Sequence, residues 1–213
     1  MLIDQNFVKK LASCEIMGGA NNICSDKTGT LTMNKMTVTN IYIGVDKAIK
    51  DVSSTKYNWS DYFHSDRHQE LFKQAICSNT SGTAEQASAT EQAMLILMKR
   101  LGVEVEDERK KHMPENYVRF QFTSKRKRMS TVIHNCGATD HGYDRRVHMK
   151  GAAEIVLETC NTYLNDQGEK VPINDNIKQA FYETIKNYAK QSLRTISFAY
   201  KDLQPNEGGP QHN

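Results

Sequence analysis

The chain has 213 residues, of which 38% are apolar and 25% charged, a composition typical of an ordinary globular protein. Its net charge of +3 is too small to indicate a nucleic-acid partner, and its five cysteines include no CxxC pair, which argues for reduced cytosolic thiols rather than a zinc site or a disulfide framework. No apolar run approaches the ~20 residues that cross a bilayer, so we expect any membrane connection to lie outside these residues.

The first 36 residues contain one candidate nucleophile. A short helix is predicted at Asn6–Cys14, a break at Gly18–Gly19, and a strand at Asn22–Ser25 that delivers Asp26 at its carboxyl end. Ligands bind at that end of the strands in open α/β sheets. The small, hydroxylated and cationic residues of the heptapeptide Asp26–Thr32 suit Asp26 to receive a phosphoryl group. An ordinary surface Asp before a Thr/Gly turn is the alternative.

The heptapeptide DKTGTLT resembles the phosphorylation motif of P-type ATPases, the ion pumps that pass through an aspartyl-phosphate. The resemblance implies that Asp26 accepts the phosphoryl group, assisted by Lys27 and Thr30. It also implies that Asp26 and the main-chain carbonyl of Thr28 form part of a Mg²⁺ site. Phosphatases of the haloacid dehalogenase type carry a second Asp where this chain has Thr28, so the motif favours a phosphoenzyme that persists.

The next segments predict the start of a second domain. Residues 37–45 alternate as a strand does, and residues 46–65 are polar and turn-rich, which predicts a surface loop. Helices are predicted at 66–77 and 89–101. The second helix begins with Ser88-Ala89-Thr90-Glu91, which fits a capping box in which Glu91 reaches back to a main-chain amide.

An antiparallel meander is predicted over residues 117–150, with a basic turn between its first two strands. On composition alone, this turn, Lys125–Arg128, is a solvated charge run or a localisation signal. The neighbouring Phe122 favours a third interpretation, since an aromatic ring beside cations can stack on a base while the cations hold its phosphates.

The third strand of the meander ends at Lys150-Gly151, which could be a simple strand-end turn. A helix at about 152–160, an amphipathic helix with an apolar stripe from Ile177 to Ala189, and a strand at 195–200 are predicted to follow. Arg194 stands between the last helix and strand, where it could cap the helix end. A disordered tail is predicted over residues 203–213.

Four of these segments resemble motifs of the nucleotide-binding domain of calcium pumps, in the family's order: Thr90-Glu91, Phe122–Ser130, Lys150–Glu154 and Leu193–Thr195. Two substitutions depart from the family pattern, Thr123 and Ala153, and neither touches a residue with an implied role. The resemblance implies that Phe122 stacks on the adenine of ATP. The other residues with an implied role in the ATP pocket are Glu91, Arg126, Lys127, Lys150, Gly151 and Arg194.

The resulting fold prediction is α+β with layered α/β character: an antiparallel twisted sheet flanked by helices forms a nucleotide-binding domain over residues 37–202. Residues 1–36 are expected to be a stalk end with an incomplete, Rossmann-like phosphorylation-domain fragment of the haloacid dehalogenase type. A lone strand lacks its sheet neighbours, so we expect residues 1–32 to be poorly packed.

The lead-in Cys14–Gly18 and the exit Met33–Val38 resemble the plasma-membrane class of calcium pumps. The parent is therefore expected to be an integral membrane enzyme that couples ATP hydrolysis to cation transport, with Ca²⁺ as the ion. Its transmembrane helices, its bound cation and the T-G-D-G-x-N-D stretch that completes the Mg²⁺ site would lie outside this chain. The chain itself, at the cytosolic face, is expected to bind ATP without completing catalysis. The alternatives are a soluble phosphatase of the haloacid dehalogenase type and a non-catalytic basic interaction module.

Overall fold

The computed structural model describes residues 12–45, 47–49, 52, 58–83, 86–115, 117–137, 142, 144–204 and 207. The chain divides into two compact units, Met1–Lys35 and Met36–Asn213. The helix predicted at Asn6–Cys14 begins outside the described residues, and most of the predicted tail also lies outside them. No helix within the described part of the chain has the length and apolar character that spanning a bilayer requires.

The first unit contains helix α1 (Ala12–Gly18) and a tight turn at Lys27–Leu31. The strand predicted at Asn22–Ser25 is not formed, and these four residues are exposed. A strand needs the hydrogen bonds of a neighbouring strand, and no ladder is formed among the described residues of this unit. The prediction of a haloacid-dehalogenase-type fragment therefore stays a prediction.

The second unit begins with a small antiparallel hairpin and four helices. These are β1 (Ile41–Ile43), β2 (Lys47–Ile49), α2 (Trp59–Tyr62), α3 (Asp66–Ser78), α4 (Ala89–Arg100) and α5 (Val105–His112). The two longer helices, α3 and α4, confirm the predicted ones within one residue at each end. Strand β2 and helix α2 lie in the segment predicted to be a loop. Helix α5 was not predicted, because its sequence VEDERKKH has a single apolar residue and no hydrophobic period.

An antiparallel sheet follows, with the predicted meander as its first three strands. The elements are β3 (Val118–Phe120), β4 (Arg128–His134), β5 (Arg145–Ala152), α6 (Ala153–Leu157), β6 (Thr162–Leu164), β7 (Lys170–Pro172), α7 (Asp175–Lys190) and β8 (Ile196–Asp202). The sheet order is β3-β4-β5-β8, and β6 and β7 form a separate hairpin. The mixed helix and antiparallel-sheet architecture predicted from the sequence is confirmed.

The apolar core of the second unit lies where α3 and α4 meet the sheet and the first hairpin. Phe72 of α3 packs edge-on against Phe198 of β8, with ring centroids 5.9 Å apart. The buried cluster to which both rings attach includes Ile41, Ile43, Tyr62, Phe63, Ile76, Met94, Leu97 and Met98. These helices therefore cover one face of the sheet and exclude water from it.

The face of β5 that the helices cover is basic. Arg146, His148 and Lys150 alternate along the strand, and all three are buried. Arg146 Nε donates to Asp202 Oδ1 at 2.6 Å, His148 Nε2 lies 3.3 Å from Gln74 Oε1, and Lys150 reaches Glu91. Each of the three side chains therefore has an acceptor on a different element, although the Nδ1 of His148 is buried without a hydrogen-bond partner.

Candidate functional site

The start of α4 is held by Ser88, whose Oγ accepts from the main-chain N–H of Glu91 at 3.4 Å. Glu91 does not complete a reciprocal capping box with its carboxylate. Its Oε1 instead accepts from Lys150 Nζ at 2.6 Å and from the N–H of Ser81 at 3.4 Å. The cap and the ion pair thus coexist at one helix start, with the Glu91 carboxylate directed at the sheet.

Lys150 is in a strongly desolvated and cationic environment. Burial lowers the pKa of Lys150, the hydrogen bond that Lys150 donates to Glu91 opposes this, and the charges of Arg119 and Arg109 lower the pKa further. Arg119 donates to the carbonyl of Ser78 at 2.8 Å. Arg109 is itself paired with Glu106, at 2.7 Å. Lys150 therefore has one direct carboxylate partner, Glu91, and lies in the field of two further cations, which favours an anionic ligand.

Arg109 and Arg119 were not among the residues selected from the sequence. Arg109 belongs to the unpredicted helix α5, where its guanidinium donates to the carbonyls of Cys77, Thr80 and Gly82. Arg119 lies between the exposed Val118 and Phe120 on β3. Because successive side chains of a strand point to opposite faces, this position indicates that Arg119 faces the helices.

Gly151 lies opposite Arg128 in the β4–β5 ladder, at a point of very close backbone approach. A β-carbon added to Gly151 would lie 2.5 Å from the carbonyl oxygen of Lys127 and 2.8 Å from the β-carbon of Arg128. The same Lys127 carbonyl accepts from the N–H of Ala152 at 3.0 Å. The absence of a side chain at Gly151 therefore lets the basic turn close onto the end of β5.

The basic turn itself is tightly folded and exposed. Lys127 has a φ of +50°, and its N–H donates to the carbonyl of Thr123 at 2.8 Å. The guanidinium of Arg126 lies 5.8 Å from the ring of Phe120. The side chain of Phe122, which precedes the turn, is 57% exposed and so presents an accessible aromatic face.

Arg194 reaches the start of α4. Its Nη1 donates to Thr90 Oγ1 at 3.1 Å, one residue before Glu91. The structure thus brings together Glu91, Lys150, Gly151 and the main chain of Lys127, with Arg194 attached through Thr90. Phe122 and Arg126 lie in the segment that leads into Lys127, and no direct contact joins their side chains to Lys150 among the described interactions.

A cavity of about 1080 Å³ lies beside this group in the second unit. Its lining includes Thr90, Arg126 and Arg194, together with residues of β1, α7 and β8. Glu91, Phe122, Lys127, Lys150 and Gly151 are not part of that lining. The cavity is therefore lined by two of the residues predicted to bind a nucleotide, Arg126 and Arg194, and not by the others.

In the first unit, the motif DKTGTLT forms a single exposed turn. Asp26 Oδ1 accepts from the N–H of Thr28 at 3.4 Å, and the N–H of Thr32 closes the turn onto the carbonyl of Lys27 at 3.1 Å. Gly29 takes a φ of +82°, which favours glycine. Asp26 and the Thr28 carbonyl supply two oxygens, which fit Mg²⁺ as part of the six that it takes.

Comparison with known proteins gives a family match. Residues 69–212 match the family described as P-type ATPase, cytoplasmic domain N. This range contains every residue assigned above to the candidate nucleotide site.

Relatives match along nearly the whole chain. The putative calcium-transporting ATPase 7, plasma membrane-type, of Arabidopsis thaliana is 37% identical over an alignment of 217 positions that covers 96% of this chain and 20% of that protein. The calcium-transporting ATPase PAT1 of Dictyostelium discoideum is 37% identical over an alignment of 215 positions that covers 97% of this chain and 18% of that protein. The plasma membrane calcium-transporting ATPase 4 of Bos taurus is 34% identical over an alignment of 230 positions that covers 99% of this chain and 18% of that protein. The chain spans about a fifth of the length of the curated relatives that it matches.

Proposed function

The chain belongs to the P-type ATPase family, and from this premise we propose that it is the ATP-binding cytosolic part of a calcium-transporting pump. The parent would couple ATP hydrolysis, through an aspartyl-phosphate, to movement of the cation. Relatives named as plasma membrane-type calcium-transporting ATPases support the choice of ion. We assign the transmembrane helices and the cation site, as partners of this chain, to regions of the parent outside it. The chain itself would lie at the cytosolic face of the membrane.

One observation carries the nucleotide-binding proposal: Lys150 is held by Glu91 at 2.6 Å beside the close approach of Gly151 to the basic turn. Lys150, which is buried, and the exposed Lys127 and Arg194 would hold the phosphates, since charge-assisted hydrogen bonds to phosphate oxygens are strong. Arg126 would add a further charge at the rim. Phe122 would stack on the base, a contact worth roughly 1–3 kcal/mol.

The phosphoryl acceptor would be Asp26. Its exposed carboxylate would attack the terminal phosphorus of ATP, forming the aspartyl-phosphate as the bond to the bridging oxygen breaks and ADP leaves. Lys27 and the hydroxyl of Thr30 would stabilise the transferring group. Mg²⁺, when bound, neutralises charge on the phosphate oxygens. Asp26 and the Thr28 carbonyl would hold it only in part, so we propose that the chain alone is catalytically incomplete.

The domain assignment follows from these roles. Residues 1–36 would be the stalk end and the phosphorylation-domain fragment of the haloacid dehalogenase type, residues 37–202 the nucleotide-binding domain, and residues 203–213 an exit tail. The division of the chain into compact units between Lys35 and Met36, one residue before the proposed boundary, supports it.

Titration of the 213-residue chain with ATP, followed by calorimetry and amide NMR, tests the proposal. We expect saturable binding with one site, with shifts at Phe122, Lys127, Lys150 and Gly151. Absence of binding at millimolar nucleotide would overturn it. Hydrolysis of phosphate esters would favour a soluble phosphatase, and salt-sensitive binding of nucleic acid in preference to ATP would favour a basic interaction module.

A further inference from the structure

A cluster of ligand-type side chains lies between α3 and α5, apart from the residues assigned to ATP. Glu108 and His112 stand four residues apart on α5 and therefore on one face of that helix. Glu70 of α3 lies opposite them. One nitrogen or oxygen from each of the three side chains lies within 4.8 Å of the others.

The tautomer of His112 is fixed by the sheet. His112 is 2% exposed, and its Nδ1 lies 3.2 Å from the carbonyl oxygen of His134 on β4. Because a carbonyl only accepts, Nδ1 carries the proton and the opposite nitrogen, Nε2, faces the two carboxylates. A main-chain carbonyl that orients a histidine in this way is the usual support for a metal-binding Nε2.

Two buried atoms of this cluster have no hydrogen-bond partner: His112 Nε2 and Glu108 Oε2. They lie 3.4 Å apart, and His112 Nε2 lies 3.7 Å from Glu70 Oε1. Two ligands of one tetrahedral zinc ion, each about 2.0–2.2 Å from the metal, are about 3.4 Å apart. The two distances from His112 Nε2 are therefore close to those that a shared small cation imposes, and the two carboxylate oxygens lie within 4.8 Å of each other.

The remaining carboxylate oxygens are occupied by Lys73. Its Nζ lies 2.7 Å from Glu70 Oε2 and 3.4 Å from Glu108 Oε1, the oxygens that face away from His112. Glu70 Oε1 also accepts from the side-chain amide of Gln74 at 2.9 Å and lies 3.8 Å from Lys111 Nζ. Lys73 thus orients both carboxylates while leaving Glu108 Oε2 directed at His112, although its charge opposes a second cation.

We propose that Glu70, Glu108 and His112 form a site for a divalent transition-metal ion, with Zn²⁺ the best match. One imidazole nitrogen and two carboxylate oxygens make three ligands, and water completes a tetrahedron. Mg²⁺ and Ca²⁺ prefer oxygen ligands throughout, so the imidazole selects against them. The bound ion joins α3 to α5, the helix that also carries Arg109.

Metal titration of the full 213-residue chain tests this site. We expect one Zn²⁺ per chain by calorimetry, and a Co²⁺ complex with a tetrahedral visible spectrum and no sulfur charge-transfer band, since no cysteine belongs to the ligand set. Glu108→Gln and Glu70→Gln each lower the Zn²⁺ affinity by at least about tenfold. Asp107→Asn, an exposed neighbour on the same helix, leaves the affinity unchanged.

A further variant distinguishes a metal site from a protonated histidine held between two carboxylates. Lys73→Met removes the nearer of the two competing cations, Lys111 being the other, so Zn²⁺ binds more tightly to this variant than to the unmodified chain. Circular dichroism and thermal unfolding of each variant verify that it is folded. The proposal is overturned if the unmodified chain binds no Zn²⁺ at 100 μM, roughly the weak end of specific affinities. Unchanged affinity in both folded Gln variants, or cobalt–sulfur charge transfer, would overturn it as well.

Discussion

Lys150 donates a hydrogen bond of 2.6 Å to Oε1 of Glu91, and the two side chains are only 9% and 13% exposed. The pair joins the end of β5 to the first turn of α4. Little water reaches either charge, so each depends on the other for stabilisation. Loss of one partner leaves the other desolvated and unneutralised, and this gives the pair a measurable coupling.

A double-mutant cycle measures that coupling. We expect Lys150→Met and Glu91→Gln each to lower the free energy of unfolding, and the double variant to lose less than the sum, with a coupling of about 0.5–3 kcal/mol. Urea unfolding of the four proteins gives the values. The exposed pair Lys110–Asp107, with side chains 80% and 76% exposed, is the control and should couple by less than about 0.5 kcal/mol. Additive losses at Glu91 and Lys150 would contradict the prediction.

Phe122→Ala should weaken ATP binding without weakening the fold. The ring is 57% exposed, so its removal should change the free energy of unfolding by no more than about 0.5 kcal/mol. Loss of stacking on the base should raise the Kd for ATP about 5- to 150-fold. Calorimetry supplies both Kd values. Val118→Ala, at an exposed apolar side chain of β3 with no assigned role, is the control, and an equal loss in both variants would argue against a specific role for Phe122.

Gly151→Ala should disturb both stability and nucleotide binding. The new β-carbon would meet the main-chain carbonyl of Lys127 at 2.5 Å, and this backbone atom cannot rotate away. We expect a loss of about 1–3 kcal/mol in the free energy of unfolding, as for other overpacked sites. Gly18→Ala, where no atom lies within 4 Å of the added carbon, should be nearly neutral. Thermal unfolding that ranks the two variants equally would show that the sheet adjusts at Gly151.

His148 should make the fold less stable as the pH falls. Burial, with the charges of Arg146 and His112, lowers the pKa of His148 from 6.5 to about 3. Above pH 6.5 both folded and unfolded chains hold it neutral, so it adds no pH dependence there. Between pH 6.5 and 3 the unfolded chain binds a proton that the folded chain does not, and stability falls by about 1.4 kcal/mol per pH unit.

Comparison of urea unfolding at pH 7 and pH 5 tests this. The loss between these two values should be about 2 kcal/mol larger in the unmodified chain than in His148→Gln. An equal loss in both proteins would assign the acid sensitivity to other groups.

The elements that could be predicted from the sequence are those in which apolar residues recur at the spacing of a helix or a strand. The helices α3, α4 and α7 and the strands β4, β5 and β8 carry clear apolar patterns and were predicted. Helix α2 and the β6–β7 hairpin are too short for a period to show, and α5 is almost wholly charged. The strand expected at Asn22–Ser25 has a suitable sequence but no neighbour with which to form hydrogen bonds.

Likewise, only part of the candidate site could be predicted from the sequence. Glu91 and Lys150 were selected from local motifs, but their ion pair joins residues 59 positions apart and no local pattern reveals it. Arg109 and Arg119 are ordinary surface cations by sequence. They contribute to the site because α5 packs on α3 and because β3 directs Arg119 toward the helices.

The three buried basic residues of β5 also bear on how fast the chain reaches this fold. Their acceptors lie 56 positions away for Arg146, 74 for His148 and 59 for Lys150, on β8, α3 and α4 respectively. Arg146 also donates to the carbonyl of Cys136, 10 positions away, but its carboxylate partner and the acceptors of the other two residues are distant. Because chain closure over such separations precedes the stabilising contacts, we expect β5 to be buried late in folding.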